Sequence, residues 1–176
     1  MIEKLKNLNK TTLGVIANKT TLGVIAFIIV LLLAGYSAKS DAEENGVRVS
    51  IGKTIVNSEL KVGELSYEYN DWEFSAALVE DGKTKNGFQE QVEIYTVSYL
   101  TKPGWGVYGI EPYVRIGASK NSGSKLIGPT NFRLGLGIDF QNVWRVEFNH
   151  HSSAGIHNPN TGLDYVTLTY KIPPLF

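Results

Sequence analysis

The chain has 176 residues, equal numbers of acidic and basic side chains, and no cysteine. The absence of cysteine excludes disulfides and thiolate metal sites, and zero net charge gives no reason to expect a general nucleic-acid partner. The length allows one domain with an N-terminal appendage, and abundant glycine and tyrosine favour a strand-rich fold with many turns.

The first 42 residues have the features of an export leader. Residues 9–17 (NKTTLGVIA) recur as residues 18–26, a tandem duplication far too short to indicate a repeat fold. Basic residues precede an apolar run at 22–34, and small residues follow it as far as Ala42. This order predicts a secretory signal peptide over 1–42 and a mature domain over 43–176. An uncleaved membrane helix is the alternative, because residues 22–38 approach the ~20 residues that a span needs.

From Gly46 onward, alternation of apolar and polar side chains predicts eight β-strands. The predicted strands cover residues 47–53, 62–69, 72–80, 91–100, 107–118, 131–140, 143–153 and 163–172. Alternation alone does not separate a membrane barrel from a soluble barrel with an apolar cavity, since both place apolar groups on one face.

The connections favour the membrane barrel. Those after the first, third, fifth and seventh strands are long, and the others are short. Long loops at one end and short turns at the other are typical of outer-membrane barrels, in which the long loops are extracellular. We therefore predict an all-β, eight-stranded antiparallel transmembrane β-barrel, whose even strand number closes the sheet and leaves no edge.

A histidine, a serine and a carboxylate are predicted to meet at one end of this barrel. On residues 144–152 one strand face is apolar until its last two members, His150 and Ser152. If the next strand returns as a hairpin, Asp164 lies opposite His150. These side chains can act as nucleophile, base and orienting acid. The alternative is that His150 and Ser152 are ordinary residues of a polar rim, but a membrane-facing carboxylate is a functional candidate by default.

Candidate oxyanion donors follow directly after the serine. The backbone N–H groups of residues 153–155 and the hydroxyl of Ser153 are suited to this role, and Gly155 permits unusual backbone geometry. His151 belongs to the opposite strand face, so we predict that it lies inside the barrel. The sequence contains no metal-ligand spacing, phosphate loop or dinucleotide fingerprint, and no cofactor is expected.

Residues 150–155 (HHSSAG), followed by Asn158-Pro159-Asn160, Gly162 and Asp164, resemble the active-site segment of PagL-type lipid A 3-O-deacylases. The resemblance implies an outer-membrane barrel whose lipid-facing His/Ser/acid triad falls on His150, Ser152 and Asp164. The family usually has glutamate at the position of Asp164 and asparagine at that of Ser153. The acid here is therefore one methylene shorter, and the donor at 153 would be a hydroxyl.

The leading hypothesis is a serine esterase of the bacterial outer membrane that cleaves the 3-O hydroxyacyl chain of lipid A in the outer leaflet. Two alternatives remain, a non-catalytic barrel for adhesion or envelope structure and a secreted soluble barrel that binds a lipid. Lysines predicted to lie in the extracellular loops are candidates for contact with lipid A phosphates. They are Lys83, Lys85, Lys120 and Lys125.

Overall fold

The computed structural model describes residues 45–158 and 160–173, so the predicted leader lies outside the described residues. Ten strands occur in the described part. They are β1 (Gly46–Thr54), β2 (Lys61–Tyr69), β3 (Trp72–Val79), β4 (Gly82–Thr84), β5 (Gly87–Gln89), β6 (Val92–Thr101), β7 (Ile110–Asn121), β8 (Thr130–Phe140), β9 (Trp144–Ser152) and β10 (Leu163–Lys171). Within the same residues no helix is long and apolar enough to span a bilayer.

Eight strands close into an antiparallel barrel in the order β1-β10-β9-β8-β7-β6-β3-β2, as predicted. We call the end that carries connections 55–60, 80–91, 122–129 and 153–162 the loop end. The opposite end, with connections 70–71, 102–109 and 141–143, is the turn end. Closure pairs β1 with β10, so the first and last strands of the barrel satisfy each other's backbone groups.

Two features differ from the sequence prediction. The connection predicted over 81–90 contains the small hairpin β4–β5, whose three-residue strands are too short to show a period. The fifth barrel strand begins at Ile110 rather than 107 because Tyr108 and Gly109 both have positive φ and form a tight turn. It also runs on to Asn121, since Lys120 pairs with Thr130. Lys83 and Lys120 therefore lie in strands β4 and β7, not in loops.

The middle of the barrel interior is filled by paired charges. Arg133, with 2% side-chain exposure, donates hydrogen bonds to Glu64 (3.0 Å), Glu147 (3.3 Å) and Asn149 (2.7 Å). Arg115 pairs with Glu147 (3.0 Å) and also with Glu73. A second cluster nearer the turn end comprises Arg48, Glu68, Asp139 and Arg145. Buried charges are tolerated only when paired in this way, so these side chains fix one another's positions.

At the loop end the interior changes from charged to apolar. Leucine, valine and isoleucine side chains from strand ends and loops pack into one buried cluster, which we call the apolar plug. Its members are Leu60, Val62, Ala77, Val79, Val92, Ile94, Leu126, Ile127, Leu163 and Tyr165. The described barrel is therefore a packed body rather than an open channel.

The outer face carries exposed apolar side chains over most of the strand length. Examples from different strands are Ile51, Ile116, Leu136 and Val146, all more than 40% exposed. At the turn end, aromatic rings pair between neighbouring strands, Trp72 with Tyr99 and Trp144 with Tyr170. An apolar band with interfacial aromatics suits a bilayer. With charges inside and apolar groups outside, the soluble-barrel alternative is wrong.

We expect Arg133→Met to lower the free energy of unfolding by about 3–5 kcal/mol, because it leaves buried carboxylates without their partner. Urea unfolding in detergent micelles, followed by tryptophan fluorescence, measures the change. Lys53→Met is the matched control, since Lys53 pairs with Glu59 on the exposed surface (2.9 Å), and it should leave the midpoint unchanged. Equal losses in the two variants would contradict the role of the interior network.

Candidate active site

His150 and Asp164 lie directly opposite each other on β9 and β10, as the predicted hairpin register requires. Their side chains meet in a hydrogen bond of 2.6 Å between Nδ1 of His150 and Oδ1 of Asp164. The histidine side chain is 39% exposed and the carboxylate only 11%. An acceptor at Nδ1 fixes which ring nitrogen carries the proton, and it leaves Nε2 as the free basic atom.

Ser152 is the last residue of β9, and its cross-strand partner on β8 is Phe132. Its hydroxyl donates to Oδ1 of Asn160 (3.1 Å) and accepts from the backbone N–H of Ala154 (3.1 Å). Within residues 45–158 and 160–173, no hydrogen bond joins Ser152 to His150. The structure thus joins His150 and Asp164 by a hydrogen bond, while the Ser152 hydroxyl is bonded to Asn160 instead of His150.

Asn160 has a position in the site that the sequence analysis did not assign. Its Oδ1 accepts from both the Ser152 hydroxyl and the Ser153 backbone N–H (2.8 Å), so it fixes the chain where the strand ends. Asparagine side chains often bind nearby backbone groups in turns, and this tendency was the available signal. The sequence alone does not say which backbone group an asparagine eight residues away will contact.

The two predicted oxyanion donors lie in different surroundings. Ser153 is fully buried, its hydroxyl donates to the backbone oxygen of His157 (3.1 Å), and its N–H is taken by Asn160. It therefore does not extend its hydroxyl to the outer face beside Ser152. Gly155 is exposed with φ near +81°, and its N–H makes no hydrogen bond within the described part of the chain. Of the two, only Gly155 offers an unused donor near the serine.

Gly162 lies against the histidine–carboxylate pair and was also given no role from sequence. A Cβ atom at this position would approach Cε1 of His150 to 3.2 Å and Oδ2 of Asp164 to 3.4 Å. Its φ of +82° is in the left-handed region that favours glycine. Because glycine has no Cβ and adopts this φ without strain, the backbone here passes close beneath the imidazole without displacing it.

Neighbouring loops fasten the segment between Ser152 and Asp164. The Asn57 amide donates to the backbone oxygens of Thr161 (2.6 Å) and Gly162 (3.1 Å). Thr161 in turn donates its N–H to Leu126 O (2.8 Å) and accepts from the Asn86 amide at its hydroxyl. Contacts from three other connections therefore hold this loop at the site.

The other histidines lie apart from the outer-face group. His151 is fully buried between the Ser119 hydroxyl and the Tyr165 hydroxyl, each 3.0 Å away, so the prediction of an interior position is confirmed. His157 packs against Gly128, where an added Cβ would be 2.3 Å from it. No cluster of three or more His, Asp or Glu residues suited to a metal ion occurs among residues 45–158 and 160–173.

Comparison with known proteins shows a family match and a similar fold. The family model described as lipid A 3-O-deacylase (PagL) matches residues 54–173, which include every candidate site residue. A crystal structure described as the outer membrane enzyme PagL is 22% identical in sequence to this chain, with a TM-score of 0.50. The match covers 72% of this chain and 99% of the other, and it supports the fold. No curated protein matches the chain significantly.

We expect Asn57→Ala to loosen the loop that joins β9 to β10, because two hydrogen bonds to its backbone are lost. Amide hydrogen exchange over residues 154–162 should accelerate about thirtyfold, in line with ~1 kcal/mol for each of the two lost bonds, while strand amides stay protected. Asn158→Ala is the control, since this exposed side chain makes no hydrogen bond within the described residues. Unchanged exchange in Asn57→Ala would show that the loop is held by other contacts.

Proposed function

Because the chain belongs to the PagL family of lipid A 3-O-deacylases, we propose that it hydrolyses the 3-O hydroxyacyl ester of lipid A with Ser152, His150 and Asp164. The observation that carries the proposal is the 2.6 Å contact between His150 and Asp164 on the outer face of the barrel, next to a serine. A base oriented by a carboxylate is what a serine hydroxyl needs to become a nucleophile.

Asp164 orients and His150 transfers the proton. With Nδ1–H donated to Asp164, Nε2 accepts the Ser152 proton as Oγ attacks the ester carbonyl. Collapse of the tetrahedral intermediate breaks the bond to the sugar oxygen, which takes the proton back from Nε2. A water molecule, deprotonated by the same nitrogen, then attacks the acyl-serine, and the Ser152 oxygen leaves and takes that proton back from Nε2. The products are a free 3-hydroxy fatty acid and lipid A with one chain fewer.

Ser152 must exchange partners before it reacts. Residues two apart on one strand face have Cα atoms about 6.5–7 Å apart, so rotation about χ1 can turn the hydroxyl from Asn160 toward His150. Asn160 would keep its bond from the Ser153 N–H, and the strand end would stay in place during this rotation. Asn160 thereby holds the serine in a resting arrangement.

The developing oxyanion would be stabilised by backbone donors after the serine. The Ala154 N–H is already 3.1 Å from the Ser152 hydroxyl, and the exposed Gly155 N–H follows it. We assign both to the oxyanion in place of the Ser153 hydroxyl, which is engaged by His157. Backbone N–H groups aimed at the charge that develops are a large source of rate enhancement.

The proposed orientation puts the loop end at the cell exterior. Long loops lie at the end that carries Ser152, and the aromatic pairs lie at the other end. In outer-membrane barrels the long loops face outward. The site would then lie at the level of the outer-leaflet headgroups, where the ester of lipid A is found.

Replacing Ser152 by alanine tests the nucleophile. We expect Gram-negative cells that express the parent chain to yield lipid A lacking the mass of one hydroxyacyl group, and cells with Ser152→Ala to yield unchanged lipid A. Mass spectrometry of extracted lipid A gives the readout, and Ser58→Ala is the control from another loop at the same end. Deacylation by Ser152→Ala would remove this serine from the mechanism. Unchanged lipid A with the folded parent would favour a non-catalytic barrel.

Asp164→Asn tests the orienting acid. The amide has nearly the same shape but does not stabilise the protonated imidazole, and it favours the wrong tautomer, so kcat should fall about 10³–10⁴-fold with little change in KM. Asp164→Glu should retain more activity than Asp164→Asn, since it keeps the charge. Deacylation kinetics in detergent micelles separate the two parameters. A large rise in KM with an unchanged kcat would instead indicate a role for Asp164 in substrate binding.

A further inference from the structure

A depression of about 740 Å³ lies on the outer face of the barrel across β10, β1, β2 and β3. Its floor and sides are mostly apolar, with Ile51, Leu78, Val166 and Leu168 among the lining residues. Side chains on this face point outward, so the depression opens to whatever surrounds the barrel.

Gly63 forms the lowest part of this depression. In the strand register it lies directly between Ile51 of β1 and Leu78 of β3, which are 66% and 38% exposed. A Cβ atom added to Gly63 would meet no atom within 4 Å. The missing side chain therefore leaves a trough between two apolar walls, and the trough is not filled by any neighbouring described residue.

The rim of the depression is polar only on the side of the loop end. Lys53 and Lys61 lie opposite each other there, two residues beyond Ile51 and Gly63 on their strands. They pair with Glu59 (2.9 Å) and Glu80 (3.6 Å). Exposed ion pairs of this kind are weak, so either ammonium group can exchange its glutamate for a phosphate. Apolar surface below and these lysines above match a lipid whose tail points toward the barrel middle and whose phosphorylated head lies at the loop end.

The depression lies near the candidate catalytic residues but contains none of them. Ile55, which lines it, donates its N–H to the backbone oxygen of Asp164 (3.0 Å). From Asp164 to Gly63 the path crosses two strand spacings and four residues, about 16 Å from standard strand geometry. Ser152 lies on the far side of Asp164, where its neighbour is Phe132 of β8. A chain attached to the reacting carbonyl would leave over β8 and β9, and the depression stays free for another chain.

We propose that the trough over Gly63 holds a second acyl chain of the same lipid A molecule, one that is not cleaved. This rests on the proposed function, because lipid A carries several acyl chains on one phosphorylated sugar backbone. Anchoring a retained chain beside Lys53 and Lys61 positions the scissile ester at Ser152, and it favours lipid A over esters with a single chain. Gly63 is then a specificity-determining residue.

Filling the trough with Gly63→Leu tests this assignment. The full chain in detergent micelles is assayed on lipid A and on a nitrophenyl ester of one 3-hydroxy fatty acid of the same length. We expect Gly63→Leu to raise the KM for lipid A about tenfold, the effect of losing roughly two buried methylene contacts, and to leave the single-chain ester unaffected. Val97→Phe, which enlarges an exposed side chain on the outer face of β6, outside both the trough and the surface over β8 and β9, is the control and should change neither.

Three other results would overturn the proposal. Equal rates for Gly63→Leu and the parent on both substrates would show that no chain occupies the trough. Slower cleavage of both substrates would place the scissile chain there instead. Equal effects of Gly63→Leu and Val97→Phe would reveal a general response of the lipid-facing surface. Ser152→Ala, run in parallel, separates these results from a failure of the proposed function, which would show as retained cleavage of both substrates.

Discussion

Backbone closure is the constraint on which the rest of this structure depends. In an apolar solvent every N–H and C=O of a strand must find its partner within the protein, and pairing β1 with β10 accomplishes this for the whole sheet. Once the sheet is closed, the side chains along each strand alternate between the inside and the outside of the barrel. Arginines and carboxylates then face inward together, and their mutual pairing fills the space that apolar residues fill in a soluble protein.

The same register builds the candidate catalytic pair. His150 and Asp164 are 14 residues apart in sequence, but they are direct neighbours across β9 and β10. Directly opposed residues are close enough for the short side chain of Asp164 to reach the imidazole of His150. The rigid strands set this contact, while Asn160 and the neighbouring loops set the position of the serine that follows.

The features that follow from local alternation can be predicted from the sequence, whereas the contacts between distant loops cannot. Alternation locates the barrel strands, the hairpin partner of His150 and the interior position of His151, because all three follow from a local period. The oxyanion donor at Ser153 was expected from its place in a motif, but its hydroxyl bonds to His157 within the loop. Asn57 contacts Thr161 across 104 residues of sequence, and no local pattern carries that information. Gly63 belongs to no sequence motif, and the trough it forms is recognised only when Ile51 and Leu78 are seen on either side of it.

The apolar plug restricts the paths that water and the released fatty acid can take in the proposed reaction. Leu126, Ile127, Leu163 and their neighbours fill the interior just beneath the loops, so among residues 45–158 and 160–173 no open path follows the barrel axis at this level. In the proposed reaction the hydrolytic water would arrive from the aqueous layer above the loops, at the headgroup boundary. A fatty acid released by the proposed reaction would leave sideways into the surrounding leaflet. In the proposed reaction, water and lipid would therefore meet at the rim of the loop end, on the outer surface of the barrel.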